Sequence, residues 1–233
     1  MITLQQIEEK HHFTFPNYFK RLWDDGMLNY MRGFDEGLKE GENWVKTVYP
    51  TLRERPPVLL HSGESQMTMF TPEMMLNFEI PPFWDVETHH FIPFAKTLEG
   101  NYYAFYNNVK IEGEAPIVEI WDEMSDTDYY AKNFEDFILR QMIEAANDID
   151  KDELKAEYEN GNIHTFIEDV KRDIASITPY LKPEYLQLIT EIYEREPQEG
   201  SFAYSMLSLS ESDELVKQYL DFELLGESFT HEI

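Results

Sequence analysis

The chain has 233 residues, 42% of them hydrophobic and 15% aromatic, with no cysteine and a formal net charge of −27 from 46 Asp and Glu against 19 Lys and Arg. That composition supports a real core and excludes disulfides, thiolate metal sites and a Cys nucleophile. Its field repels nucleic-acid phosphates and anionic membranes and speeds the docking of basic proteins.

The length suits one large domain, or one domain with a substantial extension. The acidity is spread over both parts, with 26 acids and 12 bases in residues 1–149 and 20 and 7 in residues 150–233. No apolar run approaches the roughly 20 residues needed to cross a bilayer. The start, "MITLQQIEEKHHF", lacks a basic end and an apolar signal core, so a cytoplasmic protein is expected.

In chain order, "TLQQIEEKHHF" predicts a short amphipathic helix, with Thr3 as N-cap and Leu4, Ile7 and His11 on one side. A second helix follows Pro16, carrying Tyr18, Phe19, Leu22 and Trp23 as its apolar stripe and stopping at Gly26. Residues 32–57 read mostly as loop, with a helix possible at "NWVKTVY". The middle predicts a sheet from the β-rich runs "PVLLHS", "QMTMFT", "HFIPFA", "NYYAFYNN" and "APIVEIWDE". In "NYYAFYN", Tyr103 and Phe105 share one face while Tyr102, Ala104 and Tyr106 share the other, which marks a central strand. "NFEDFILRQMIEAAND" predicts a helix capped by Asn133. Four further helical patterns follow, at about 151–159, 162–176, 183–195 and 211–224. Helices, then sheet, then helices favour an α+β fold over a parallel α/β layout. The expected division is an α+β domain over residues 1–149 and an acidic, all-helical extension over 150–233 packed on it.

Several of these segments, in the same order, resemble the SUKH superfamily, whose founding members include the yeast cell-wall synthesis regulator of the Smi/Knr type. "ITLQQIEEKHHFTFPNYFKRLW" is similar to the family's opening of helix, "fP" step and second helix. "FWDVETHHFIPFAKTLEGNYYAFYNN" resembles its "W…FIPFA…GxGDxYxFd" region, "EGEAPIVEIWDE" its "PPVV" strand, and "YYAKNFEDFILRQMIE" its "iAxsFxeFl" helix. The resemblance covers roughly residues 1–147. Asn101 stands where relatives often carry an acid, residues 27–60 fit poorly, and the tail from about 150 has no counterpart. The resemblance implies a mostly antiparallel sheet packed by helices. It also implies the work of the bacterial members, immunity proteins that bind and neutralise a secreted polymorphic toxin, often a nuclease or deaminase. Such work needs a stable scaffold and a complementary surface and no catalytic group.

The densest acidic stretch is Glu112, Glu114, Glu119, Asp122, Glu123, Asp126 and Asp128, uninterrupted by Lys or Arg. It is the candidate docking surface for a basic toxin face, with a merely solvated loop as the alternative. Trp84 and Trp121 are candidate anchors, since Trp is common among interface hot spots; core or half-buried packing is the alternative and the favoured assignment. His11–His12 and His89–His90 offer no HExxH or three-ligand spacing, so no metal is expected. "HSGES" lacks the G-x-S-x-G pattern, and no phosphate-cradling glycine loop is present. No catalytic residue and no cofactor are expected, and the partner is a toxin domain rather than nucleic acid or membrane. A regulatory interaction module, or an enzyme with an unrecognised pocket of carboxylates and histidines, are the other classes.

Overall fold

The structure, a computed structural model, describes residues 2–28, 49–62, 67–97, 99–122 and 124–232. The residues divide into two compact units that interleave along the chain. One comprises Met1–Trp44, Gln66–Phe137 and Phe222–Ile233, the other Val45–Ser65 and Ile138–Asp221. Among the described residues no helix is long and apolar enough to cross a membrane.

The first unit opens with α1 (Leu4–His11) and α2 (Asn17–Asp24). Thr3 caps α1 as the sequence predicts. Its hydroxyl accepts from Gln6 N at 3.3 Å and its own N–H donates to Gln6 Oε1 at 2.9 Å, a reciprocal box that satisfies two end donors. Pro16 sits one position earlier than a first-turn proline, as the N-cap of α2. After β1 (Met67–Met69) comes α4 (Pro72–Asn77), which the sequence reading lacks, and then β2 (Phe91–Thr97), β3 (Tyr102–Tyr106), β4 (Ile117–Ile120) and β5 (Asp126–Ala131). The last strand, β9 (Ser228–Thr230), returns from the end of the chain. The six strands form an antiparallel sheet in the order β1-β2-β3-β4-β5-β9.

The two apolar faces of β3 are as its alternation predicts. Tyr103 and Phe105 meet Phe15, Phe19, Phe94, Phe134 and Phe137, largely edge to face; Phe19 lies 4.8 Å from Phe134 and 5.4 Å from Phe105. On the opposite face, Ala104 and Tyr106 pack with Trp84, Phe91, Val118 and Ile120. Each buried aromatic contributes about 1.5–3 kcal/mol by removal from water, and each well-placed ring pair about 1 kcal/mol more. Pro93 brings no N–H to the ladder, and the β2–β3 register shifts between Pro93 and Ala95 to accommodate it. The helix α5 (Phe134–Glu144) follows the sheet. Asn133 Oδ1 accepts from Asp136 N at 2.9 Å, the predicted cap.

The second unit carries α3 (Tyr49–Glu54), α6 (Lys151–Glu157), α7 (Ile163–Ile177), α8 (Pro183–Tyr193) and α9 (Leu209–Leu220). Helices α6 to α9 match the four patterns predicted from the sequence, whereas α3 falls where the sequence reads mostly as loop. The region is not wholly helical, because β6 (Ile149–Asp150), β8 (Ala203–Ser205) and β7 (Gln198–Glu199) form a small sheet in that order. "PVLLHS" is not a strand. Val58 and Leu59 are buried, but the backbone turns there, with Leu59 in the left-handed region at φ 63°. Its last residues are held by a buried acid of α7. Asp173 accepts from His61 N, Ser62 N and Ser62 Oγ and pairs with His61 Nδ1, all within 2.7–3.0 Å. One turn earlier, Asp169 accepts from Arg53 Nε and Nη2 at 3.0 Å and pairs with Arg172. The possible helix at "NWVKTVY" lies, but for its last residue, outside the described residues.

Candidate functional site

The acidic stretch divides in two when folded. Glu112 and Glu114 occupy the hairpin between β3 and β4. There Ile111 and Glu114 exchange backbone hydrogen bonds at 2.8 and 3.0 Å, around Glu112 (φ 52°) and Gly113 (φ 93°). Two consecutive left-handed residues are the two-residue hairpin geometry, which glycine tolerates without strain. Of the other described acids, Glu119 lies in β4 itself, Asp122 just past its end, and Asp126 and Asp128 in the neighbouring β5. From Glu114 to Glu119 the extended chain covers about 17 Å at about 3.4 Å per residue, so the candidate docking stretch, Glu112 to Asp128, forms two separate acidic patches.

The larger half gathers Glu119, Trp121, Asp122, Asp126 and Asp128. The stretch after β4 contains β5, not only loop, and its pairing places Asp128 directly across from Glu119. Trp121 is half-buried, and its Nε1 donates to Asp128 Oδ2 at 3.0 Å, fixing the indole against the strand. Asp126 is exposed at the first position of β5, and its carbonyl accepts from Trp121 N at 3.1 Å. Among the described residues, Asp122, Asp126 and Asp128 have no Lys or Arg within ion-pair distance. Glu123 lies outside the described residues.

Asn101 organises this end of the sheet. It is 6% exposed. Its Nδ2 donates to Glu119 Oε1 at 3.0 Å, and its Oδ1 accepts from Asp122 N at 3.3 Å. A carboxylate here would serve Asp122 N–H but oppose Glu119, which gives the departure at this position a physical reason. Gly100 beside it has φ 105°, and a Cβ there would stand 3.2 Å from Asp122 Oδ2, so the acid closes over a position only glycine fits.

At the hairpin end, burial pushes the Glu114 carboxyl up, with Asp136 and Glu112 adding to the shift and Lys110 opposing it. Trp84 is a correction. It is 2% exposed, packed against Phe91 at 5.4 Å and Tyr102 at 5.6 Å, and is a core residue rather than an exposed anchor. Its contact with His231, at 5.7 Å, ties the end of the chain to the sheet. Burial lowers the pKa of that histidine, which hydrogen-bonds Thr127 Oγ1 at 2.9 Å. Among the described residues no group of three or more His, Asp or Glu is placed to hold a metal.

Residues 2–140 match the model of the SMI1 / KNR4 family (SUKH-1). The chain belongs to that family. The match takes in α1, α2, the first five strands of the large sheet and the first part of α5, all but β9 of the scaffold that positions the SUKH-1 chain's acidic strand end. No curated protein matches the chain.

Proposed function

We propose that this SUKH-1 chain is a non-catalytic, cytoplasmic immunity protein. It binds one cognate secreted toxin domain of basic charge, nuclease or deaminase in type, and blocks it stoichiometrically. The observation that carries this is the strand end where Asp128 holds the half-buried indole of Trp121, with Glu119 across the strand pair from Asp128 and Asp122 and Asp126 on the connection between the strands. Carboxylates at the rim of such a surface steer a basic partner and raise its association rate, while an aromatic held in place contributes anchoring area. Glu112 and Glu114, at the far end of β4, add to the long-range field rather than to this contact.

The test is stopped-flow association with the basic toxin domain encoded beside the chain's own gene. Charge reversal at Asp122 and Asp126 together should slow association at least tenfold in low salt and change dissociation less. Unchanged association would remove this surface from the contact. The match to the SMI1/KNR4 model itself favours a second assignment, a regulatory module that binds cell-wall or signalling proteins. The same scaffold serves both, and the identity of the bound partner separates them.

A further inference from the structure

The two histidine pairs, far apart in sequence, converge in the first unit. His11 ends α1, and His12 follows it as a left-handed cap at φ 48°. His89 and His90 lead into β2. Together with Lys10 they line a cavity of about 170 Å³, completed by Ile80, Val86, Phe91 and the edge of Trp84. Five of the nine lining residues are Lys or His and none is an acid, in a chain with 46 acids against 19 Lys and Arg. The basic side chains lie close enough to act on one another. Burial lowers the pKa of His11, and Lys10 and His90 lower it further, against the Met75 carbonyl that His11 Nε2 approaches at 2.9 Å. Asp85, between Trp84 and Val86 in sequence, accepts from Glu87 N and Thr88 N at 3.1 Å through Oδ1, and its carboxylate also acts on His89.

The rim is apolar and open. Ile80 is 44% exposed and Val86 is 56% exposed, and Phe83 on the same loop is 40% exposed. Neither feature alone specifies an occupant, but the two together narrow the choice. A volume of about 170 Å³ is below the roughly 300 Å³ at which pockets for small molecules begin. It has room for one side chain. An anion that enters as part of a protein segment also brings neighbouring side chains to cover Ile80 and Val86; free phosphate does not.

We propose that this pocket is a second docking site, taking a partner segment that presents one glutamate or aspartate flanked by apolar residues. The carboxylate sits between Lys10 and the histidines, and the flanking side chains cover Ile80 and Val86. The site is separate from the acidic strand end, selects the opposite charge, and does not depend on the toxin assignment.

The experiment titrates the whole chain with the capped tripeptide Ac-Leu-Glu-Phe-NH2, followed by the indole resonance of Trp84 and the ring resonances of His89 and His90. Saturable shifts are expected, with the Ac-Leu-Gln-Phe-NH2 analogue at least tenfold weaker. Val86→Asp, on an exposed side chain, should weaken the glutamate peptide at least fivefold while the backbone amide spectrum stays native. Lys10→Gln should weaken it similarly. Equal binding of the glutamine analogue overturns the proposal, as does no saturable shift at millimolar peptide. Inorganic phosphate shifting the same resonances at the same midpoint also overturns it, because that outcome identifies a free-anion site.

Discussion

Replacing Asn101 by Asp should destabilise this protein. The amide donates to Glu119 at 3.0 Å from a nearly buried position. In the variant that contact becomes carboxylate against carboxylate. Two like charges at that distance repel by about 5 kcal/mol at an effective dielectric of about 20. The protein can escape by protonating one of them, which from an ordinary glutamate pKa of about 4.3 costs about 4 kcal/mol at pH 7. That sets the ceiling. The variant's stronger acceptor for Asp122 N–H offsets part of it, so a net loss of about 2–4 kcal/mol is expected at pH 7. The sign of the pH dependence follows. The variant pair has folded-state pKa values raised above the unfolded ones, so the deficit shrinks as pH falls through the carboxylate range and grows as pH rises out of it. Urea unfolding followed by tryptophan fluorescence at pH 7 and pH 4.5 measures it. Glu119→Gln in the Asn101→Asp background should recover most of the loss. A variant within about 0.5 kcal/mol of the parent at pH 7, or no recovery in the double variant, would refute this account of Asn101.

Glu114→Gln should raise the melting temperature at pH 7. Burial, Asp136 and Glu112 raise the Glu114 folded pKa, a contribution favourable at low pH and lost as pH rises, so the gain should vanish in melts near pH 4. Trp84→Ala should cost about 3–5 kcal/mol in denaturant unfolding, whereas Trp121→Phe, which removes the donor to Asp128 and part of a half-buried ring, should cost about 1–2 kcal/mol. Asp173→Ala should lower the thermal midpoint of the helical circular dichroism signal by the equivalent of about 3 kcal/mol. It strips hydrogen bonds from His61 and Ser62 in a buried setting.

Much of the scaffold was legible because its signals are local. Thr3 spells a cap, the alternation through Tyr102–Tyr106 spells a strand buried on both faces, and Asn133 marks a helix start. What escaped depends on partners distant in sequence. β5 alternates Asp126, Thr127, Asp128 and Tyr129, so its acids read as loop until Ile120 and Glu119 pair with it. "PVLLHS" has a strand's composition, yet its backbone turns, and His61 and Ser62 bond to a carboxylate on α7 that nothing nearby in sequence announces. The acidic run is interrupted by the strand legible in "APIVEIWDE", while the pairing that sets Asp128 opposite Glu119 is not legible from adjacency. Trp84 and Trp121 look alike in sequence and differ in burial because one lies over the sheet and the other just past a strand end. The histidine pairs carried no motif, and only the approach of α1 to the loop before β2 brings them together.

The claim that the chain works by binding a basic toxin through its acidic strand end is tested most directly by retention on the tagged chain from its native host, at low and at high salt. Mass spectrometry then identifies what is held. A single basic toxin domain in near-equal amount is expected, with retention that weakens as salt rises. Recovery of several cell-wall or signalling proteins without such a domain, or of nothing at either salt, would contradict it.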